Sequence, residues 1–282
     1  MKTSSFPLFL WMVAASAAVV AQGAGWKLVW ADEFSEDGAP NPARWGYEHG
    51  FVRNQELQYY TEAKPENARV EDGMLVIESH QAHLPNPGFR ADASPRRWQQ
   101  RREFAEYTSA SLTTRGTASW TYGRIEVRAK VPAGRGTWPA IWMLGTNIGE
   151  VGWPACGEID ILEHVGHEPG VAFANVHTRG HNHMRGNGRG SRLELPTATT
   201  EFHVYAVEWT HEKMDFLVDG QKFFSLKNDG TGVDSWPFDA PQYLILNLAI
   251  GGSWGGAKGV DATAFPQRFL IDYVRVYQQE GE

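Results

Sequence analysis

The chain has 282 residues, with 26 Lys and Arg against 33 Asp and Glu and a formal net charge of -7. That acidic balance argues against nucleic acid as a partner, because a phosphate backbone is met by basic surfaces. A single cysteine, Cys156, excludes an intramolecular disulfide, so the core alone must hold the fold.

At the N-terminus, Lys2 precedes an apolar segment from Phe6 to Val20 that closes on small residues around Ala21. The pattern predicts a signal peptide over 1–21, with cleavage as late as residue 24, and hence a secreted protein, extracellular or periplasmic. The segment is short and Ala-rich for a membrane anchor, so no membrane partner is expected. The remaining residues, 25–282, suit one all-β domain, expected to act as a monomer. Short apolar runs recur along it: Met74–Glu78, Arg124–Arg128, Val204–Trp209, Met214–Asp219 and Leu270–Tyr277. Each is rich in β-branched or aromatic residues and several alternate, the signature of antiparallel strands. Asp219-Gly220 predicts a hairpin turn after Val218. With no repeat and no long amphipathic helix, the expected architecture is an antiparallel β-sandwich.

Gly157-Glu-Ile-Asp-Ile-Leu-Glu-His164 is the most informative stretch. Alternation puts Glu158 and Asp160 on one strand face, because successive side chains point to opposite faces. Glu163 breaks that parity, and a β-bulge at about Ile161-Leu162 restores it. His164 then points away from the acidic face. Three acids side by side repel, so stability alone does not select them. A pair of carboxyls on one surface is what glycoside hydrolysis requires, roughly 5–5.5 Å apart in a retaining enzyme. A calcium-binding cluster or a solvated edge strand is the plainer alternative.

The motif resembles that of the laminarinase-like branch of the family 16 glycoside hydrolases, whose bulged signature is Glu-x-Asp-x-x-Glu. The likeness extends through Trp26–Phe34, Asn54–Tyr60, Glu66–Val70, Tyr122–Arg128, Gly136–Leu144 and Leu246–Trp254. It implies a curved jelly roll with a concave substrate cleft, and a secreted retaining endo-β-1,3-glucanase acting on β-glucan. The order of acids in that family makes Glu158 the nucleophile, Asp160 its auxiliary and Glu163 the acid/base. No catalytic cofactor is expected. The resemblance also implies a structural calcium at Glu33, Gly73 and Asp272, an oxygen-only set that suits this ion. Rival readings are a hydrolase of mixed-linkage glucan or a sulfated galactan, and a non-catalytic glucan-binding protein.

Twelve tryptophans give a second signal, since the C–H face of a sugar ring stacks on an indole. Trp138, Trp142 and Trp254 are expected to line the cleft, with Trp153 beside them. Trp30, Trp45 and Trp209 read as core or near-core. Asn54 and Glu56 match the segment that contacts the glycone side in similar enzymes. His177 is placed to hydrogen-bond near the acid/base or the leaving sugar, although His177, His181 and His183 also have a spacing that suits zinc. Two basic stretches, Pro95–Arg102 and Arg179–Arg192, run against the acidic average. They read as solvated loops or as contacts for an anionic glycan. Cys156 reads as a small packed hydrophobe.

Overall fold

The computed structural model describes residues 25–279, so the leader expected over 1–21 lies outside the described residues. Two sheets dominate. One has seven strands in the order Arg189–Glu194, Val171–His177, Glu158–Glu163, Thr137–Gly145, Gln242–Ile250, Ser111–Thr113 and Gly46–Tyr47. The other, of ten strands, runs Gln221–Lys227, Lys213–Val218, His203–Trp209, Gly123–Lys130, Gln267–Gln279, Met74–Pro85, Phe104–Ser109 and Gln58–Tyr60. Trp26–Asp32 and Ala68–Glu71 add to it at Gln267–Gln279 and Met74–Pro85. Pairing is antiparallel throughout except between Gln58–Tyr60 and Phe104–Ser109. The expected jelly-roll sandwich is what forms. Among the described residues no helix is long and apolar enough to cross a membrane.

Period-two alternation sorts the residues of the seven-stranded sheet. Ile141, Met143, Leu244, Leu246 and Leu248 point into the core between the sheets, where Trp45 and Trp209 are also buried and Trp30 packs at the margin. Ala140, Trp142, Leu144, Tyr243 and Ile245 point to the other face, where they form a separate apolar patch with Cys156. The hairpin forms as read, with Asp219 and Gly220 at φ 50° and 75° between their two strands. Positive φ at both central residues gives the turn the twist its strands need.

The acidic strand carries its bulge where the sequence placed it. Against Thr137–Gly145 the register slips between Asp160 and Leu162, and against Val171–His177 between Asp160 and Glu163. Consecutive Ile161 and Leu162 both enter the core, which a regular strand forbids. His164 leaves the acidic face and hydrogen-bonds through Nδ1 to the Val171 carbonyl at 2.8 Å.

The bulge makes a specific prediction about the pair it displaces. Ile161→Ala and Leu162→Ala are each expected to cost about 2–5 kcal/mol in chemical denaturation. In an unbulged strand one of the two would lie on the acidic face, and its truncation would cost little. A small effect at either residue would therefore contradict the bulged geometry.

Candidate active site

Glu158, Asp160 and Glu163 stand on the outer face of the seven-stranded sheet, and each has its own partners. Trp153 donates its indole N–H to Glu158 Oε2 at 2.8 Å. Trp138 donates to Glu163 Oε1 at 3.1 Å, and the Asn175 amide donates to Glu163 Oε2 at 2.7 Å. Asp160 contacts Glu158 and is only 3% exposed. Its Oδ2 has no hydrogen-bond partner, although His177 Nε2 lies 3.4 Å away.

Burial dominates the electrostatics. It pushes Glu158 up to about 7, helped by the nearby Glu163, while the hydrogen bonds from Trp153 and Asp160 pull it back. Burial, then Glu158 and Glu163, raise Asp160 well above the carboxylate range. Glu163 is raised by burial alone and restrained by Asn175 and Trp138. Asp160 therefore keeps a proton and gives it in a hydrogen bond to Glu158, which favours the ionised form of that neighbour. Burial likewise drives His177 down to about 4, so its imidazole is neutral beside the acids.

The sheet register locates His177 differently from the sequence reading. It lies opposite Glu158, and its Nε2 is 3.6 Å from Glu158 Oε1, so it flanks Glu158 rather than Glu163. Asn175 occupies the place beside Glu163 instead. The sequence reading passed over it, yet it shares a face with His177 two residues on, and parity alone would have found it. Gly190 lies opposite Asn175, and a Cβ there would meet Asn175 Oδ1 at 2.0 Å, so only glycine leaves the amide its place.

The aromatic side chains divide by exposure. Trp254 packs edge-on to Trp138, ring centroids 5.6 Å apart, and to Phe173 at 4.9 Å. All three are half-buried, so they line an open surface beside Glu163. Trp254 reaches this position through Gly251 and Gly252, both at φ near 70°, where other residues are strained. Trp153 is half-buried beside Glu158, with His183 packed on its ring at 5.5 Å. Trp142 is covered. Its indole N–H donates to Asn247 at 2.7 Å and Arg53 stacks on its ring, so it supports the floor and presents no open platform.

Asn54 is exposed at the rim, but Glu56 is buried and committed. Its carboxylate accepts from Asn54 at 3.1 Å and from Gln58 at 2.7 Å. Glu56 therefore holds Asn54 in place and offers no free oxygen to a sugar, a correction to the direct contact expected from sequence. Asn54 and Gln55 adopt left-handed backbone, φ 54° and 55°, costly for residues with a Cβ. Arg102 donates to the carbonyls of Gln55 and Glu56, and the Asn54 carbonyl accepts from Ser253 N at 3.1 Å. These bonds lock the loop against the Trp254 turn.

The metal readings fare less well. Zinc does not gather the three histidines, because His181 Nε2 turns to Arg189 at 2.6 Å. Among the described residues the one grouping of possible ligands is Glu158, Asp160 and His177, with donor atoms within 4.8 Å. An ion there would occupy the Glu158 carboxylate. Glu33 is held by Arg275 through two bonds of 2.7 and 2.8 Å, and Asp272 by Arg128 at 2.6 Å. With both carboxylates neutralised by arginine, the Glu33, Gly73 and Asp272 set does not fit a calcium as it stands. Cys156 is buried beside Glu158, and burial pushes its thiol up to about 11, as suits a packing residue.

The chain is similar to known proteins over most of its length. The profile of the glycosyl hydrolases of family 16 matches residues 56–275. A β-glucanase of Rhodothermus marinus is 50% identical over 263 residues, which cover 90% of this chain and 85% of that protein. The crystal structure of the laminarinase from Rhodothermus marinus superposes with a TM-score of 0.81 at 48% identity, covering 90% of this chain and 98% of that one. SCLam, a non-specific endo-β-1,3(4)-glucanase, superposes with a TM-score of 0.81 at 45% identity, covering 92% and 93%. The chain belongs to the glycosyl hydrolases of family 16.

Proposed function

We propose that the protein is a secreted, monomeric, retaining endo-β-1,3-glucanase that hydrolyses internal bonds of laminarin-like glucans by double displacement. The observation that carries this reading is the bulged strand with two carboxyls on one face, each supplied with its own N–H donors. Relatives named β-glucanase and laminarinase support the substrate. The apolar segment behind Lys2 supports export.

Glu158 attacks the anomeric carbon as the bond to the leaving sugar breaks, and Glu163 gives its proton to the departing oxygen. A glycosyl ester on Glu158 results. Glu163, now a carboxylate, takes a proton from water as that water attacks the same carbon. Two inversions leave the configuration unchanged. Asp160 and Trp153 each donate to Glu158, so they hold it aimed and favour its ionised form before attack, and release it as the ester forms. Trp138 and Asn175 keep Glu163 oriented through both proton transfers. Trp138, Trp254 and Phe173 stack the sugars on one side of the bond, and Trp153 with His183 does so on the other. Two carboxyls and water complete the reaction, so no catalytic cofactor is needed. A glucan-binding role is disfavoured because every acid is in place.

Reducing-sugar release from laminarin, mixed-linkage glucan and agarose tests the substrate. Laminarin is expected to be cleaved best, and release from agarose alone would overturn the glucan reading. On laminarin, Glu163→Gln is expected to lower kcat about 10²–10⁴-fold. With an activated aryl leaving group, which needs no protonation, its loss in the first step should largely vanish, whereas Glu158→Gln stays inactive. The reverse pattern would exchange the two roles. The pH dependence has a definite sign. Glu158 ionises near 7 in the fold against 4.5 when unfolded, so its contribution to stability is greatest below 4.5 and is lost as pH rises through 7. Melting temperature is expected to fall across that window, and less steeply in Glu158→Gln. Finally, 1 mM calcium against a chelator is expected to move the melting temperature by no more than about 1 °C. A site of even 10 μM affinity would add about 2.7 kcal/mol, and a rise of several degrees would show that Arg275 and Arg128 yield their carboxylates.

A further inference from the structure

The two basic stretches differ in how their charge is used. In the second, Arg179 faces Asp234, Arg189 faces Asp229, and Arg192 faces Glu168 and Glu194. These pairs oppose three of the four arginines of that stretch. In the first, Arg96, Arg101 and Arg102 line one cavity of about 540 Å³ together with Gln55, Pro95 and Trp98. Among the described residues none of these three arginines forms an ion pair with a carboxylate, and no acid lines the cavity. Glu106 and Glu56 act on Arg102 through their fields.

The cavity is also built. Arg102 is fixed by the carbonyls of Gln55 and Glu56 and by its stacking between Phe51 and Trp98, 5.0 and 4.9 Å from the ring centroids. Arg96 and Arg101 stay exposed, with their guanidinium donors free to reach an oxyanion. Trp98 adds a half-buried indole face of the kind that accepts a sugar ring. Gln55 joins this cavity to the cleft, since it follows Asn54, whose carbonyl is bonded to the Trp254 turn.

We propose that this cavity is an outer subsite for an anionic sugar, one bearing a sulfate or a carboxylate, on a glycan that leaves the cleft at the Asn54 end. The inference rests on the glucanase reading for the bond that is cut and adds a charged class of substrate to it. Guanidinium groups bind such oxyanions with paired, charge-assisted hydrogen bonds, and arginines with no carboxylate paired to them lower the cost of bringing the anion there. A neutral glucan gains only the Trp98 surface.

The test compares kcat/KM for three laminari-pentaoses: neutral, sulfated on the non-reducing terminal sugar, and oxidised to a carboxylate at C6 of that sugar. Wild type and the double variant Arg96→Ala/Arg101→Ala are measured at low and high salt. At least one anionic pentaose is expected to exceed the neutral one on the order of tenfold in wild type. The advantage should shrink at 0.5 M salt and vanish in the variant, with the neutral pentaose cleaved equally by both proteins. Which probe gains identifies sulfate or carboxylate as the group bound. Anionic probes no better than neutral, or an advantage that survives in the variant, would overturn the subsite. Failure to cleave the neutral pentaose and laminarin would instead overturn the glucanase reading.

Discussion

Three carboxyls share one buried face of one strand, and ordinary electrostatics opposes that arrangement. Charges of like sign a few ångströms apart in a water-poor site cannot all ionise near neutrality, and the energy of forcing them is large. The surroundings resolve the conflict by sharing protons and aiming donors. Asp160, the most buried of the three, keeps its proton and turns it towards Glu158. Trp153, Trp138 and Asn175 each direct an N–H at a carboxylate oxygen, and His177 stays neutral so that it adds no rival charge. The apolar patch of Ala140, Leu144 and Ile245 on the same face then excludes water, which strengthens every one of those contacts. Much of the rest of the sandwich serves to hold this face.

That support comes from distant parts of the chain. Val171–His177 supplies Asn175 and His177, Thr137–Gly145 supplies Trp138, and the Gly251–Gly252 turn delivers Trp254. The loop at 53–56 is further from the sheet ladder and needs its own fastening. Arg53 stacks on Trp142, Glu56 gathers Asn54 and Gln58, and Arg102 clamps two carbonyls from outside. Two left-handed residues are tolerated only because these contacts over-determine the loop.

The strands, the Asp219-Gly220 hairpin and the bulge were legible in the sequence because each has a local signature: alternation, a turn dipeptide, or a parity break. Glu158, Asp160 and Glu163 were legible for the same reason. The roles of Trp142, Glu56 and His177 were not, because they depend on what covers each residue or lies opposite it in the neighbouring strand. Trp142 shares a face with the acids, as its spacing implied, but Arg53 comes from a loop with no pairing rule and closes over it. Glu56 looks like a free carboxylate until Gln58 and Tyr60 fold back on it. For Glu33 and Asp272, the arginines that claim them lie 242 and 144 residues away in sequence.

Cys156 gives the molecule an internal clock. The chain's one thiol is sealed in the apolar patch beside the acidic strand, and its raised pKa leaves little thiolate at neutral pH even if reagent arrives. Alkylation therefore requires the segment between Gly145 and Glu158 to part from Gln242, which donates to the Cys156 carbonyl at 3.3 Å. The labelling rate in native buffer thus reports how often this wall of the site opens, without unfolding the protein or adding a probe. A sugar chain lying across Trp153 would slow that opening, and the thiol, packed with Trp142 and Trp153 on the cleft side of the sheet, would register occupancy without itself touching substrate.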